Sequence, residues 1–231
     1  MSPVIPVSLT PHSRTRVPGP YNRALKKTSN PQISANNSPA VAYNSEPVTS
    51  VTISKTIDQG NSTILLVICG VRNFVTFTSV TFNGMPCTKI ISNSYASGNN
   101  GRIEIWYMLR PPVGTFDIVC TVNSGDWLSC GAASYDNVSQ ITPFTNCYMT
   151  QGTGVTTASC SAVGVTYGLM VAGIAHEGIG TRTSGSGIFT QASDGNWWTG
   201  ASYITNEDFQ TLSWTISTNS YAMAAIVLNR A

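Results

Sequence analysis

The sequence is poor in charge, in histidine and in long apolar runs. Charged residues make up 10% of its 231 residues, and it has two histidines. No apolar run reaches the ~18 residues of a membrane-spanning helix, so we expect no membrane segment. The start MSPVIPVSLT lacks the basic and apolar regions of a signal peptide. These absences predict synthesis in a cytoplasm, which favours reduced cysteines.

The cysteines lack the close spacing of a metal or redox motif. None of the six follows the C-x-x-C pattern, so we expect no zinc site, no thioredoxin-like site and no cofactor. Cys69 and Cys120 lie inside apolar stretches, which predicts buried thiols that behave as small hydrophobic side chains. Cys147 and Cys160 stand where a loop gives way to a strand. Their spacing leaves open whether they pair or stay reduced.

Residues 1–48 differ from the rest of the chain. They contain eight of the twelve prolines and five basic side chains against one acidic, and they show no helical or strand periodicity. Proline removes a backbone donor and fixes φ, which excludes a helix or a central strand. We therefore predict an extended anchoring arm and linker over 1–48, with a net charge of +4, followed by one domain over 49–231 with a net charge of −2.

The domain has the pattern of an all-β protein. Val51 and Ile53 alternate with polar residues, and the runs 64–69 (ILLVIC) and 167–175 (YGLMVAGIA) are apolar throughout, as for strands buried on both faces. Strand patterns recur about every 8 to 15 residues, and no stretch has a convincing helical period. We predict an antiparallel, jelly-roll-like β-sandwich.

Three local features give more detailed predictions. Asn83-Gly84 between residues 80–82 and 88–91 is typical of a hairpin with a type I′ turn. The Gly- and Ser-rich residues 176–200 are predicted to be mostly loop. Residues 212–216 and 223–228 are predicted to close the chain as a pair of strands.

Four segments, in the order 65–90, 102–122, 129–144 and 211–229, resemble a family of β-sandwich domains common in bacteriophage virion structural proteins and in related phage-like or bacterial surface proteins. In that family a W-Y-x-L-x-P-P-x-G-T segment joins two strands, and a W-x-[AM]-A-A-[IV]-x-L segment forms the last strand. The first is matched by Trp106, Tyr107, Leu109, Pro111, Pro112, Gly114 and Thr115. The second is matched by Ala224, Ala225 and Leu228, with Tyr221 where the family often has Trp. The resemblance covers about residues 65–229 and implies a fold without catalytic residues.

The resemblance and the arm together suggest a non-enzymatic virion protein, made in the host cytoplasm. The favoured hypothesis is a capsid decoration or cement protein whose arm binds the major capsid protein or another virion subunit. We expect it to form a homo-oligomer, with a trimer as one arrangement. The alternative is a tail or head-fibre component that binds host-surface glycans.

The candidate contact residues of the arm are mostly basic. Their number is small and only one aromatic residue accompanies them, so protein contact is favoured over nucleic acid. These residues are Arg14, Arg16, Tyr21, Arg23, Lys26 and Lys27.

In the domain, Trp197 and Trp198, with Tyr203 nearby, are candidates for contact with a glycan or a protein. The alternative is that the tryptophans cover the core and a sheet edge. His176-Glu177 forms the one His–acid pair of the domain. A solvated loop is favoured for it over a catalytic role, because no nucleophile motif accompanies it.

Overall fold

A computed structural model describes most of the domain. The residues described are 31–44, 46–96, 100–163, 168–177, 180–182, 186–192, 197–205 and 209–231, and between residues 177 and 210 the description is confined to the backbone. Within these ranges all regular elements are β-strands and all strand pairings are antiparallel, so the all-β prediction is confirmed. No helix of these ranges has the length and apolar character needed to cross a membrane.

The strands divide into two groups along the chain. The first group is β1 (Ser34–Ala35), β2 (Ala40–Tyr43), β3 (Val48–Ile57), β4 (Ile64–Arg72), β5 (Phe77–Phe82), β6 (Met85–Pro86), β7 (Thr88–Tyr95), β8 (Gly101–Leu109), β9 (Gly114–Asp126) and β10 (Leu128–Asp136). The second group is β11 (Phe144–Val163), β12 (Leu169–Glu177), β13 (Gly180–Arg182), β14 (Ser186–Ala192), β15 (Trp197–Thr205) and β16 (Phe209–Leu228).

The first group forms two sheets, and the chain crosses from one to the other several times. Sheet 1 has the order β1-β10-β4-β8-β7, with β2 also on β10, and sheet 2 has the order β3-β9-β5-β6. Successive strands such as β3, β4 and β5 therefore belong to sheet 2, sheet 1 and sheet 2. Crossing connections of this kind allow the inner faces of two sheets to bury one core.

The second group forms sheet 3 without exchanging strands with the others. Its order is β11-β16-β12-β15-β14, with β13 also on β16. The long strands β11 and β16 pair along almost their whole length, with register shifts between Phe144 and Cys147 and between Gly152 and Thr157.

Sheet 1 has an apolar face toward sheet 3, which we call the apolar core. It contains Ile64, Leu66 and Ile68 of β4 together with strands β12 and β16. The sheets approach closely at Gly173, where an added Cβ would lie 2.6 Å from Cγ2 of Ile68 and 3.1 Å from Cγ1 of Ile103. Glycine at this position lets the two sheets touch.

The opposite face of sheet 1 packs on sheet 2 and forms the thiol core. The intervening residues of β4, Leu65, Val67 and Cys69, point into it. It also contains Cys87, Cys120 and Cys130. The two-sided burial of β4 confirms the prediction from its continuous apolar run, because a strand between two packed faces has no polar side.

A third cluster lies on the other face of sheet 3. Its members include Cys160, Trp214 and Met223, all 1% exposed or less. Residues 169–175 of β12 are buried on both faces, which confirms the second two-sided prediction.

Three local predictions need correction. The turn at Asn83 and Gly84 has positive φ at both residues, as predicted, but the strand that β5 pairs with across this turn is the two-residue β6, while β7 crosses to sheet 1. Residues 176–200 are not mostly loop, because β13, β14 and part of β15 lie there and extend sheet 3. Residues 212–216 and 223–228 are not a pair, because both belong to β16 and share β11 as partner.

Candidate functional site

The first candidate site is the root of the N-terminal segment, by which we mean residues 31–44. This last part of the predicted arm is paired with the free edge of β10: β1 lies opposite Tyr135 and Asp136, and β2 lies opposite residues 129–132. Two short strands on one edge are the form in which a proline-rich segment can join a sheet. The segment therefore leaves the domain at a fixed place.

Polar side chains hold this root in place. The buried Lys55 donates a hydrogen bond from Nζ to the carbonyl oxygen of Ser38 at 2.7 Å. Asn36, also buried, donates to both carboxylate oxygens of Asp136 at 3.0 Å and accepts a hydrogen bond from the amide of Asp58. Burial lowers the pKa of Lys55, and the charge of Asp58 opposes that shift.

The second candidate site is a group of three thiols in the thiol core. Cys69 on β4 and Cys130 on β10 are direct cross-strand partners in sheet 1, and Cys120 approaches them from sheet 2. All three residues are completely buried, and their Sγ atoms lie within 4.8 Å of one another. The Sγ atoms of Cys69 and Cys120 are 3.7 Å apart. Cys87 lies in the same core but outside this group.

A carboxyl group lies beside the thiols on the next strand of sheet 1. Glu104 on β8 is the cross-strand partner of Cys69 and is completely buried. Its Oε2 accepts a hydrogen bond from Trp106 Nε1 at 3.1 Å and lies 3.5 Å from Lys89 Nζ. Its Oε1 lies 3.7 Å from Arg102 Nη1. Burial raises the pKa of Glu104, while Lys89, Arg102 and the indole N–H act against that shift.

Burial and the hydrogen bonds among the three thiols shift their pKa values. Hydrogen bonds from Cys130 and Cys69 lower the pKa of Cys120, and burial opposes this. Burial raises the pKa of Cys69 and of Cys130. A thiolate is the form of cysteine that binds metals.

The sequence-predicted contact residues are placed only in part. Arg14, Arg16, Tyr21, Arg23, Lys26 and Lys27 lie outside the described residues. Trp197, Trp198 and Tyr203 belong to β15, where the backbone pairs Trp198 with His176 and Trp197 with Glu177. The side chains of these three residues lie outside the description.

The structure also places His176, Cys147 and Cys160. His176 is not on a solvated loop, because it lies in β12 and is completely buried. Cys147 and Cys160 are both free thiols, the first exposed and the second buried. Both belong to β11, but Cys147 is exposed whereas Cys160 packs in the third cluster.

Sequence reasoning missed the thiol group because its members are far apart in the chain. Each of the three cysteines was identified only as buried or unassigned. The usable signal was alternation, because Cys69 shares a face of β4 with Leu65 and Val67, and Cys130 shares a face of β10 with Leu128. Which strands would meet at that face is a property of the sheet order.

A comparison of the chain with family models, curated proteins and solved structures gives no match.

Proposed function

We propose that this chain is a non-enzymatic structural protein of a bacteriophage virion, a capsid decoration protein attached through its N-terminal arm. The observation that supports the proposal is the root of the arm. Residues 31–44 are fixed to the edge of sheet 1 by β-pairing and by Lys55 and Asn36. A basic, proline-rich extension that starts from a fixed root is well suited to bind a neighbouring subunit at limited entropic cost.

The proposal includes three finer features. The stacked sheets have jelly-roll-like connections, the extended arm precedes them, and copies of the chain assemble into an oligomer such as a trimer on the shell. The bulk and rigidity of the domain stabilise the shell by added interface area, without chemistry. The partner is the major capsid protein or another virion subunit.

The proposal is tested by removing the arm while keeping its root. A chain lacking residues 1–30 retains Asn36, Ser38 and Lys55, so we expect it to fold with an unchanged thermal midpoint but to lose binding to shells that lack this protein. Lys55→Met in the full-length chain is the matched variant, since it removes the bond to Ser38 and keeps the basic residues. We expect it to bind shells more weakly. Co-sedimentation of the truncated chain with shells at full occupancy would refute the proposal.

The alternative is a tail or head-fibre component that binds host glycans through Trp197, Trp198 and Tyr203. It is favoured by the position of these residues on β15, which lies between β12 and β14 near one edge of sheet 3. Glycan-array or whole-cell binding by the protein, abolished by Trp197→Ala or Trp198→Ala, would support this function. No binding above that of the two variants would exclude it.

A further inference from the structure

We propose that Cys69, Cys120 and Cys130 form a zinc-binding site that joins sheet 1 to sheet 2. The inference is independent of the proposed virion function, because it depends only on the packing of the thiol core. Two of its ligands come from adjacent strands of sheet 1 and the third from β9 of sheet 2. An ion held by all three would therefore link the two sheets across their common core.

The distances between the sulfur atoms suit one bound ion. Zinc binds thiolates at about 2.3 Å, which separates two ligands of a tetrahedral site by about 3.8 Å. The Sγ atoms of Cys69 and Cys120 are 3.7 Å apart, and no pair in the group exceeds 4.8 Å. A triangle with sides in this range has its centre about 2.1 to 2.8 Å from each corner. An ion therefore fits with side-chain shifts of a few tenths of an ångström.

Glu104 is the candidate for the fourth ligand. It is the direct cross-strand partner of Cys69, so the two side chains leave the same face of sheet 1 side by side. The carboxyl group is fully buried, and its Oε1 accepts no hydrogen bond from any described residue. The carboxylate oxygens lie outside the group of atoms within 4.8 Å of one another, and Oε1 faces Arg102 at 3.7 Å. A rotation of the Glu104 side chain toward the sulfur atoms would complete a four-coordinate set of the kind that zinc accepts.

The local charges also suit a divalent ion. Three thiolates, Glu104 and a zinc ion carry a combined charge of −2, which the nearby Lys89 and Arg102 offset. Burial of charge is tolerated when it is neutralised in this way. Each cysteine that binds zinc loses its thiol proton to the solvent and no electron is transferred.

The position of the site determines how it must be tested. Because all three thiols are completely buried, the ion has to be present while the chain folds. The full-length protein is unfolded in denaturant with a reductant and a chelator, freed of chelator, and refolded with or without one equivalent of zinc chloride. Zinc per chain after gel filtration and the thermal midpoint are then measured.

We expect about one zinc ion per chain in the wild type and a higher thermal midpoint when zinc is present. Cys120→Ala should lower the affinity for zinc by at least about tenfold, and Glu104→Gln should lower it less. Cys160→Ala is the matched control, because Cys160 is 1% exposed in the third cluster and the substitution removes the same sulfur. It should keep the wild-type zinc content.

X-ray absorption on the zinc-refolded wild type tests the ligands without any variant. We expect three sulfur neighbours at about 2.3 Å. A wild type that refolds without retaining zinc, fewer than three sulfur neighbours, or an equal loss of zinc in Cys120→Ala and Cys160→Ala would each overturn the proposal. The first two outcomes apply even if Cys120→Ala fails to fold.

Discussion

The two faces of sheet 1 contain very different cores, although the same strands supply both. Along β4, Ile64, Leu66 and Ile68 enter the apolar core, whereas Leu65, Val67 and Cys69 enter the thiol core. The apolar core has no cysteine and is close-packed against Gly173 of sheet 3. The thiol core contains four cysteines and borders the buried Glu104.

The difference shows what each interface requires. Sheet 3 approaches sheet 1 so closely that side-chain volume limits the contact, and a small residue is needed where the sheets meet. Sheet 2 leaves room for polarizable sulfur atoms and for a carboxyl group whose oxygens face cations and an indole N–H. Buried polar groups of this kind are stable only when they are paired.

The largest expected effect tests the close contact in the apolar core. Ile68→Ala should lower the free energy of unfolding by about 2–5 kcal/mol, because it leaves a cavity. Gly173→Ala should cost about 1–3 kcal/mol, because its new Cβ would lie 2.6 Å from Cγ2 of Ile68. The double variant should cost less than the sum, since each change makes room for the other. Denaturant unfolding of all four proteins measures this coupling.

Val67→Ala provides the control for that cycle. Val67 neighbours Ile68 on β4 but points into the thiol core. Its effect should add to that of Gly173→Ala without coupling. If the effects of Ile68→Ala and Gly173→Ala on the free energy of unfolding are also additive, the two residues are not coupled. The close contact between sheets 1 and 3 would then not determine the stability of the apolar core.

A smaller effect tests the polar side of the thiol core. Burial raises the pKa of Glu104 above 4.5, so unfolding releases a proton between that pH and the folded-state pKa. The contribution of Glu104 to the free energy of unfolding therefore falls as pH rises through this window and is largest below it. Each unit of pKa elevation corresponds to about 1.4 kcal/mol. In Glu104→Gln this fall should be absent from unfolding curves recorded across the window.

The exposed Glu46 supplies the control for that experiment. Glu46→Gln makes the same change in net charge outside the core and should keep the wild-type slope. A slope that survives unchanged in Glu104→Gln would show that the carboxyl group is ionised at the same pH in both states.

The smallest effect concerns reactivity and leaves stability unchanged. Cys147 is exposed, whereas the other five cysteines are buried. We expect iodoacetamide to label one thiol per native chain and six in denaturant, counted by mass spectrometry. Because burial raises the pKa of Cys147 above 9.0, the rate should keep rising as pH approaches and passes that value. Cys147→Ser should abolish native labelling, and fast labelling of a second thiol would contradict the burial of the cores.

Much of the local structure could be predicted from the sequence. The continuous apolar runs predicted β4 and β12 as strands buried on both faces, and Asn83-Gly84 predicted a turn with two positive φ values. These features depend on residues close in the chain. The glycine-rich stretch before Trp197 was misjudged as loop, because pairing of β13 with β16 and of β14 with β15 outweighs a weak local strand propensity there.

By itself, the sequence determined that the chain folds into antiparallel strands and that Cys69 and Cys120 lie among apolar residues, because alternation and burial follow from residue type and spacing. Only the tertiary structure decided which strands meet. It brought Cys69, Cys120 and Cys130 together across two sheets, placed Glu104 beside them, and paired residues 34–43 with the edge of β10. The physical reason is that strand order and sheet stacking depend on contacts distant in sequence, which local periodicity does not encode.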